Sequence, residues 1–370
     1  MPPAEKPRLM GLDVLRCVAV LLVIIHHIPP LPAEAGSSAV GTAFAFVQRT
    51  GWCGVDLFFV LSGFLVSGLI FAEHRAQGSV RLGRFLIRRG LKIYPTFYVR
   101  LLVFVAAGFL RGRDPHARTF LIEAAFIQNY LHGVWPHTWT LAVEEHFYLG
   151  VGLLLFALQR GRRERPFAAI PWLCGTILVV ILALRVTTAL LEPELDEAFR
   201  PTHLRADSLV FGLLLSYLYH RAPESFGAWV AARLRPLAVL GVLLVLPTWF
   251  VARGSVFQFT AGYSLLYLGF GLIVLVFRFG PAPRGFLAGL GTAAALVGRF
   301  SYPIYLFHVD MLYEGAERLA SLLGLEGGMA WWGTVAASFV VLSLGFGMLA
   351  ATLIEQPVLR LRDRLFTSAA

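Results

Sequence analysis

Long apolar segments separated by short polar ones run through the chain, and their lengths predict helices that cross a membrane. About 20 consecutive apolar residues span the hydrocarbon core of a bilayer as a helix. Ten segments come near that length, at positions 10–29, 52–72, 93–110, 139–158, 167–191, 207–219, 237–252, 259–277, 301–323 and 330–353. The apolar segment at 119–131 is too short to span and indicates an interfacial or re-entrant stretch. The pattern predicts an all-α integral membrane protein with about ten transmembrane helices.

The composition excludes the other common classes of protein. The chain of 370 residues is 57% hydrophobic and 15% charged, whereas soluble domains carry about 25% charged residues. Its 30 Phe and 8 Trp also exclude a disordered chain. Because no repeat or soluble segment interrupts the pattern, we expect one membrane-embedded domain over residues 1–370, with tails at 1–9 and 358–370. Three scattered cysteines show no metal-ligand spacing, so no metal site is expected.

The distribution of basic residues predicts the orientation. If the ten spans alternate from a cytoplasmic N-terminus, inside segments hold 21 Lys and Arg and outside loops hold 7. This bias follows the positive-inside rule. It predicts a multi-pass protein of the cytoplasmic (inner) membrane with both termini in the cytoplasm. The acidic loop at 192–199 then falls outside. The net charge of +10 indicates contact with lipid headgroups and gives no reason to expect a nucleic-acid partner.

The first apolar segment carries ionisable residues, which favours a retained helix over a cleaved signal peptide. Charges at bilayer depth are costly and are therefore candidate functional groups. Arg16 and His27 are eleven residues apart, which returns a helix to within about 20° of the same face. His26 points about 100° away from His27. The alternative to a functional pair is structural. In that case the histidine caps the outer end of the helix, and the Arg16 side chain extends to the cytoplasmic headgroups.

Three further groups of residues are candidates. Asp56 lies close in predicted depth to His27, and a carboxylate beside an imidazole orients the ring; a plain interfacial Asp is the alternative. The entrance to the fourth span is rich in acids, histidines and aromatic residues, with Glu144 and Tyr148 on one helical face. The loop at 73–92 ends in bases that suit a polyphosphate, although positive-inside flanks look similar. These groups comprise Asp56; His137, Trp139, Glu144, Glu145 and Tyr148; and Arg84, Arg88, Arg89 and Lys92.

Later segments contribute three more polar patches. Arg205 and Asp207 predict an ion pair at the outer end of the sixth span, and His308 lies within the ninth. The segment Ile354-Glu355-Gln-Pro357 closes the tenth.

Read in order, seven segments resemble the motifs of the membrane acyltransferase-3 family, whose members O-acylate cell-surface sugars and some small glycosides. The segments are LDVLRCVAVLLVIIHH, GVDLFFVLSGFL, RFLIRRGLKIYP, HTWTLAVEEHFYL, RADSLVFG, SYPIYLFH and IEQP, between residues 12 and 357. The family's Arg and His pair falls on Arg16 and His27. This chain departs from the family pattern at Val14, Lys92, Thr140 and His146.

The resemblance implies transfer of an acyl group, most often acetyl, from cytoplasmic acyl-CoA to a hydroxyl of a surface carbohydrate or glycolipid such as lipopolysaccharide. His27 would act as general base or transient acyl carrier, oriented by Asp56 or Glu144, and Arg16 would steady the thioester oxygen or the CoA arm. Glu145 is a further candidate catalytic residue. CoA phosphates would bind the basic cluster. Substrate contacts would come from His137, Trp139, Tyr148, Arg205, Asp207 and His308.

Two other classes of protein use similar residues. A proton-coupled transporter or flippase also carries intramembrane His, Asp, Glu and Arg, but the chain shows no paired halves with matching interrupted helices. Transfer from labelled acetyl-CoA separates the two classes. A structural or sensor membrane protein is the third reading, and it predicts tolerance of substitutions at His27 and Glu144.

Overall fold

The computed structural model describes residues 10–36, 38–112, 117–161, 165–192, 195, 198–281 and 284–366, and within these ranges every regular element is helical. The α-helices in chain order are α1 (Met10–His27), α2 (Ala33–Gly36), α3 (Ala39–Thr50), α4 (Gly54–Gln77), α5 (Leu82–Leu110), α6 (Ala117–Ala124), α7 (Trp139–Arg160), α8 (Ile170–Leu191), α9 (Thr202–Arg205), α10 (Asp207–Arg221), α11 (Pro223–Ala231), α12 (Leu234–Val245), α13 (Tyr263–Phe279), α14 (Phe286–Arg299), α15 (Ser301–Asp310), α16 (Arg318–Leu322), α17 (Gly328–Ala350) and α18 (Gln356–Leu365). Short 3₁₀ segments lie at Gly51–Cys53, Pro136–Thr138 and Leu246–Trp249, and π-helical segments at Gln258–Gly262, Met311–Glu317 and Ala351–Glu355.

Seven helical segments of the described chain are long and apolar enough to cross a membrane. They are Met10–His27, Ala39–Gln77, Leu82–Leu110, Pro136–Arg160, Ile170–Leu191, Gln258–Phe279 and Gly328–Leu365. The pair Pro223–Ala231 and Leu234–Trp249, bent by 77°, forms an eighth if it counts as one span. The protein is therefore a multi-pass membrane protein that is helical throughout the regular elements of its described residues, and the expected count of ten spans is not confirmed.

Two of the predicted spans account for most of the difference. The segment at 207–219 forms α10, whose 15 residues reach about 22 Å, short of a hydrocarbon core of about 30 Å. The segment at 301–323 is divided into α15, a π-helical stretch and α16. At the C-terminus, residues 356–365 continue as the helix α18, so much of the expected tail is ordered. The tail at 1–9 and part of the acidic loop lie outside the described residues.

Contacts within the chain divide it into two compact units. The first unit contains Met1–Phe58 and Val274–Leu353, and the second contains Phe59–Ile273 and Ile354–Ala370. Both units are assembled from segments far apart in sequence, and α4 and α13 each contribute residues to both.

The first unit holds α1 in a buried position. Val20, Val23 and Ile24 of α1 are fully buried and share a core with Ile304 and Phe339. On another side, α1 and α14 approach so closely that a Cβ added at Gly298 would overlap the backbone carbonyl of Asp13. Glycine is therefore required at this contact, and α1, which carries Arg16 and His27, is held firmly on both sides.

The second unit places α5, α7 and the helical segment 59–77 of α4 around a polar interior. A Cβ at Gly63 would overlap the carbonyl oxygen of Leu209 on α10, so these two helices meet backbone to backbone. Helix α5 buries Phe85, Gly90, Ile93 and Phe97, a spacing of three to five residues that forms one helical face. This face explains why α5 begins at Leu82, eleven residues before the predicted span.

Candidate functional site

Two histidine side chains meet inside the first unit. The rings of His27 and His308 lie 4.8 Å apart between centroids in an edge-to-face arrangement. His27 Nδ1 lies 2.8 Å from the carbonyl oxygen of Val23, and His308 Nδ1 lies 2.6 Å from that of Tyr305. Because a carbonyl only accepts, each Nδ1 carries the proton in a neutral ring. Each Nε2 then carries the lone pair that can take a proton from a substrate.

The neighbouring histidine is placed differently, as the helical-face argument predicted. His26 Nδ1 lies 2.9 Å from the carbonyl oxygen of Gln48 on α3. Its ring is 5.3 Å from that of His27. The structure therefore brings His27, which the sequence favoured, against the buried His308.

The other two candidates of the first unit are Arg16 on α1 and Asp56 on α4. Arg16 pairs with Asp13 one turn earlier on α1, at 3.6 Å, and one third of its side chain is exposed. Asp56 is completely buried in the first turn of α4, where a carboxylate interacts favourably with the helix dipole. A solvated interfacial Asp is inconsistent with this burial.

Helix α7 places the predicted acidic pair in the interior of the second unit. Ser62 Oγ donates a hydrogen bond to Glu144 Oε1 at 2.6 Å, and a hydrogen bond also links Ser62 to Tyr148. Glu144 and Tyr148 are one turn apart on α7, so a single serine on α4 joins both. The shared face that the sequence predicted is confirmed.

The second acid of the pair faces helix α5. Tyr94 donates a hydrogen bond to Glu145 Oε2 at 3.0 Å. Arg89 donates to the Tyr148 hydroxyl, and its guanidinium carbon lies 3.9 Å from the centre of the Tyr148 ring. A cavity of about 600 Å³ is lined by Arg89, Tyr94, Glu145 and Tyr148 together with His146 and apolar residues. This volume lies within the roughly 300–1,000 Å³ that is usual for small-molecule sites.

The four predicted phosphate-binding bases lie in the first turns of α5 and have different surroundings. Arg84 is 4.0 Å from Glu73, Arg88 is 3.1 Å from Asp363 on α18, and Lys92 pairs with Glu355. Only Arg89 lines the cavity just described. The expected loop at 73–92 is instead the end of α4, a short turn and the start of α5.

Arg205, Asp207 and Trp139 belong to one buried cluster of the second unit. Asp207 Oδ2 lies 2.9 Å from Arg185 Nη1 on α8, and neither side chain is exposed by more than 1%. Arg205 lies over the Tyr263 ring at 3.7 Å and 5.6 Å from the Trp139 ring. Arg185 is thus a partner of Asp207 that sequence reasoning did not identify.

Glu123 orders the segment that leads into α7. Its carboxylate accepts hydrogen bonds from the backbone amides of Val134 and Trp135 at 2.9 and 3.1 Å, and from Thr138 at 3.0 Å. Burial raises the pKa of this carboxyl, although these hydrogen bonds act in the opposite direction. His137, which is buried, lies 3.4 Å from Arg100 Nη1.

Sequence reasoning missed Ser62, Tyr94, Arg100, Glu123 and Arg185. Arg100 and Arg185 were visible as bases within apolar spans, and Glu123 as an acid within an apolar segment. Ser62 and Tyr94 are ordinary residues for such helices, and their importance follows only from their partners.

The helices define a polytopic membrane protein, and imidazole and carboxylate groups lie in its interior. The family model described as "Acyltransferase domain" (acyltransferase family 3) matches residues 10–350. The chain therefore belongs to this family, as the motifs indicated. No solved structure gives a significant match to the chain.

Three curated relatives carry O-acetyltransferase names. The Peptidoglycan O-acetyltransferase OatA of Listeria monocytogenes is 25% identical, over 91% of this chain and 54% of its own length. A Staphylococcus aureus (strain MSSA476) protein provisionally named O-acetyltransferase SAS0844 is 25% identical, over 83% of this chain and 51% of its own. The O-acetyltransferase OatA of S. aureus (strain NCTC 8325) is 22% identical, over 83% and 51%. The chain spans about half the length of these relatives.

Proposed function

We propose that this protein is an acyl-CoA-dependent O-acyltransferase, with acetyl as the transferred group and a hydroxyl of a surface carbohydrate or glycolipid as the acceptor. Membership of an acyltransferase family supports the reaction class, and the names of the relatives support acetyl and a cell-surface acceptor. The observation that carries the proposal is the contact of His27 Nδ1 with the carbonyl oxygen of Val23, which in a neutral ring puts the lone pair on Nε2, the atom that we propose as the base.

In the proposed step, the acyl group moves from the thioester of acyl-CoA to the acceptor hydroxyl. His27 Nε2 removes the proton of the acceptor hydroxyl as its oxygen attacks the thioester carbonyl carbon. The carbon–sulfur bond then breaks, and the imidazolium returns the proton to the departing thiolate of CoA. In the variant with a covalent intermediate, Nε2 attacks the thioester carbon, the carbon–sulfur bond breaks, and CoA leaves as the thiolate. The acceptor oxygen then attacks the acyl imidazolium, the carbon–nitrogen bond breaks to restore neutral His27, and the hydroxyl proton passes to the CoA thiolate.

Other residues assist in this proposal by position and charge. Asp56 belongs to the same compact unit as His27 and would orient its ring, with Glu144 as the alternative. Glu145 is a further candidate catalytic residue. Arg16 steadies the thioester oxygen or the CoA arm. The His308 ring lies against the His27 ring and would form one wall of the substrate site.

The donor side follows from the charge distribution. The bases Arg84, Arg88, Arg89 and Lys92 would hold CoA phosphates at the cytoplasmic face of the inner membrane, with both termini on that side. Three of them already have acidic partners, so donor binding has to compete with Glu73, Asp363 and Glu355. No metal ion takes part in the proposed reaction.

The decisive experiment compares His27→Gln with His26→Gln in cells. Both rings are hydrogen-bonded to backbone carbonyls, so the two variants remove similar structural contacts. We expect His27→Gln to lower the rate of acetyl transfer by about 10²–10⁴-fold, the usual effect of removing a general base. The acetyl content of surface glycans and membrane lipids should fall accordingly. Mass spectrometry at matched membrane levels of protein measures it. Equal acetylation by the His27 variant and the wild type would remove the central residue from the proposal.

A further inference from the structure

The segment after helix α1 carries prolines at positions that would continue its hydrogen bonds. In an α-helix, each carbonyl oxygen accepts from the N–H group four residues later, and proline has no N–H group. Pro29 and Pro32 stand four residues after Ile25 and Ile28. The Ile25 carbonyl accepts from the Ile28 amide at 3.2 Å instead. The helix therefore ends at His27, and the carbonyl of Ile28 needs a donor from elsewhere in the fold.

Two side chains from other helices supply donors to the carbonyls that follow His27. The side-chain amide of Gln48, on α3, donates to the carbonyl oxygens of Ile28 and Pro29, the second at 3.1 Å. The indole N–H of Trp332, on α17, donates to the carbonyl oxygen of Pro29 at 2.9 Å. These donors therefore hold the two residues that come directly after the histidine.

The same side chains connect the end of α1 to the helices around His308. The ring of Trp332 packs edge-to-face on Phe44 of α3, with 5.4 Å between the ring centroids. Helix α17 approaches α15 so closely that a Cβ at Gly347 would overlap the backbone of Ile304. Since His308 lies on α15, the bond from α17 fixes the end of α1 relative to the helix that carries the other histidine.

We propose that Gln48 and Trp332 are positioning residues, which hold the end of α1, and with it the imidazole of His27, in place beside His308. Without such donors the last turn of a helix frays. The catalytic consequence rests on the proposed function: a general base acts only within hydrogen-bond reach of the proton that it removes, and a misplacement of about 1 Å costs about 10²-fold in rate. The hold on α1 itself requires no transfer.

Two variants remove the donors and keep most of the shape, and each has a matched control. Trp332→Phe removes the indole N–H and keeps an aromatic ring. Its control is Trp331→Phe, because that tryptophan also packs on the core of the first unit but does not donate to α1. Gln48→Met removes the amide. Its control is Gln159→Met, because the Gln159 amide donates to the Val80 carbonyl at 2.7 Å in the second unit.

Hydrogen–deuterium exchange of the full chain in detergent micelles measures the hold on α1. We expect exchange in the last turn of α1 to rise about two- to tenfold in Trp332→Phe, because each lost hydrogen bond makes local opening easier. The rise should be larger in the double variant with Gln48→Met. Both controls should leave it unchanged. Exchange of this turn that is the same in the double variant as in the wild type overturns the inference.

Acetyl transfer in isolated membranes tests the catalytic consequence. The initial rate of radiolabelled acetyl incorporation, measured against the concentration of acetyl-CoA, gives an apparent kcat and KM at matched protein levels. We expect the double variant to lower kcat at least about tenfold and to leave KM within about twofold, because a misplaced base slows the chemical step and leaves donor binding as it is. A double variant that frays α1 and keeps the wild-type kcat overturns the positioning role and leaves the proposed function standing.

Two further outcomes separate this inference from its competitors. Equal losses of kcat in Trp332→Phe and Trp331→Phe would assign the effect to packing and overturn the positioning role. Wild-type membranes that transfer no acetyl group, together with the expected exchange pattern, would count against the proposed function and support the hold of Gln48 and Trp332 on the end of α1.

Discussion

The two compact units bury polar side chains in different ways. In the first unit, His27 and His308 bond to carbonyl oxygens four and three residues earlier on their own helices. In the second unit, Glu144 and Glu145 depend on Ser62 and Tyr94, which are 82 and 51 residues distant in sequence. Local partners form as soon as the helix forms, whereas distant partners require the packed tertiary structure. A substitution that disturbs helix packing should therefore break the hydrogen bonds of these carboxylates before those of the histidines.

The buried ion pair of the second unit is the strongest test of this difference. We expect Arg185→Met to lower the free energy of unfolding by about 3–5 kcal/mol, because Asp207 is left charged and buried. The double variant Arg185→Met/Asp207→Leu should recover most of that loss. Unfolding in mixed micelles, followed by tryptophan fluorescence, measures both.

An exposed ion pair provides the control for that experiment. Arg318 and Glu314 lie 3.5 Å apart on the surface of the first unit, with side chains 65% and 56% exposed. Arg318→Met should change the free energy of unfolding by less than about 1 kcal/mol. Equal effects of the two arginine substitutions would show that Asp207 does not depend on Arg185.

Two serines of helix α4 give a second, smaller test. Ser62 donates to Glu144, whereas Ser67 is fully buried with its hydroxyl oxygen unbonded to any described residue. Ser62→Ala should cost about 1.5–3 kcal/mol, since a carboxylate loses a donor, and Ser67→Ala should cost little or nothing. Thermal unfolding of the two variants in parallel measures the difference. Indistinguishable stabilities would remove Ser62 from the network around Glu144.

The smallest expected effect concerns pH and Glu123. Burial raises the pKa of this carboxyl above its ordinary value of 4.5, so the folded state holds the proton more tightly than the unfolded state. The contribution to stability is therefore most favourable below the unfolded pKa and declines as pH rises through the window between the two pKa values. Glu123→Gln should remove that part of the pH dependence.

Unfolding between pH 4 and pH 8 measures this contribution as the difference between wild type and variant. The variant Glu326→Gln makes the same replacement of a carboxylate by an amide at an exposed position and is the control. A Glu123→Gln profile that runs parallel to the wild type throughout would contradict the expected sign.

Features that repeat along one helix were predictable from the sequence. The eleven-residue spacing and the choice between His26 and His27 follow from helix geometry, and Glu144 and Tyr148 do share a face. Apolar run length identified a multi-pass helical protein, but the count of ten spans is not confirmed where α10 is short and where the π-helical segment Met311–Glu317 interrupts an apolar run. Breaks of this kind depend on packing against neighbouring helices.

Partners from distant segments could not be predicted in the same way. Arg205 and Asp207 are close in sequence and suggested an ion pair, yet Asp207 binds Arg185 on α8. Lys92 and Arg88 looked available to phosphate, yet they pair with Glu355 and Asp363 from the C-terminal segment. A sequence shows which groups are costly to bury, but it does not show which of several opposite charges satisfies each one.

The sequence alone was enough to identify a multi-pass helical protein of the acyltransferase-3 family. It also predicted, as candidate functional residues, the few ionisable groups that lie in apolar helices. Tertiary structure alone decided that His27 meets His308, that Ser62 joins Glu144, and that Arg89 and Glu145 line one cavity. The physical reason is range: helix periodicity and hydropathy are properties of neighbouring residues, while hydrogen bonds in a membrane interior are completed by whichever distant helix packs alongside.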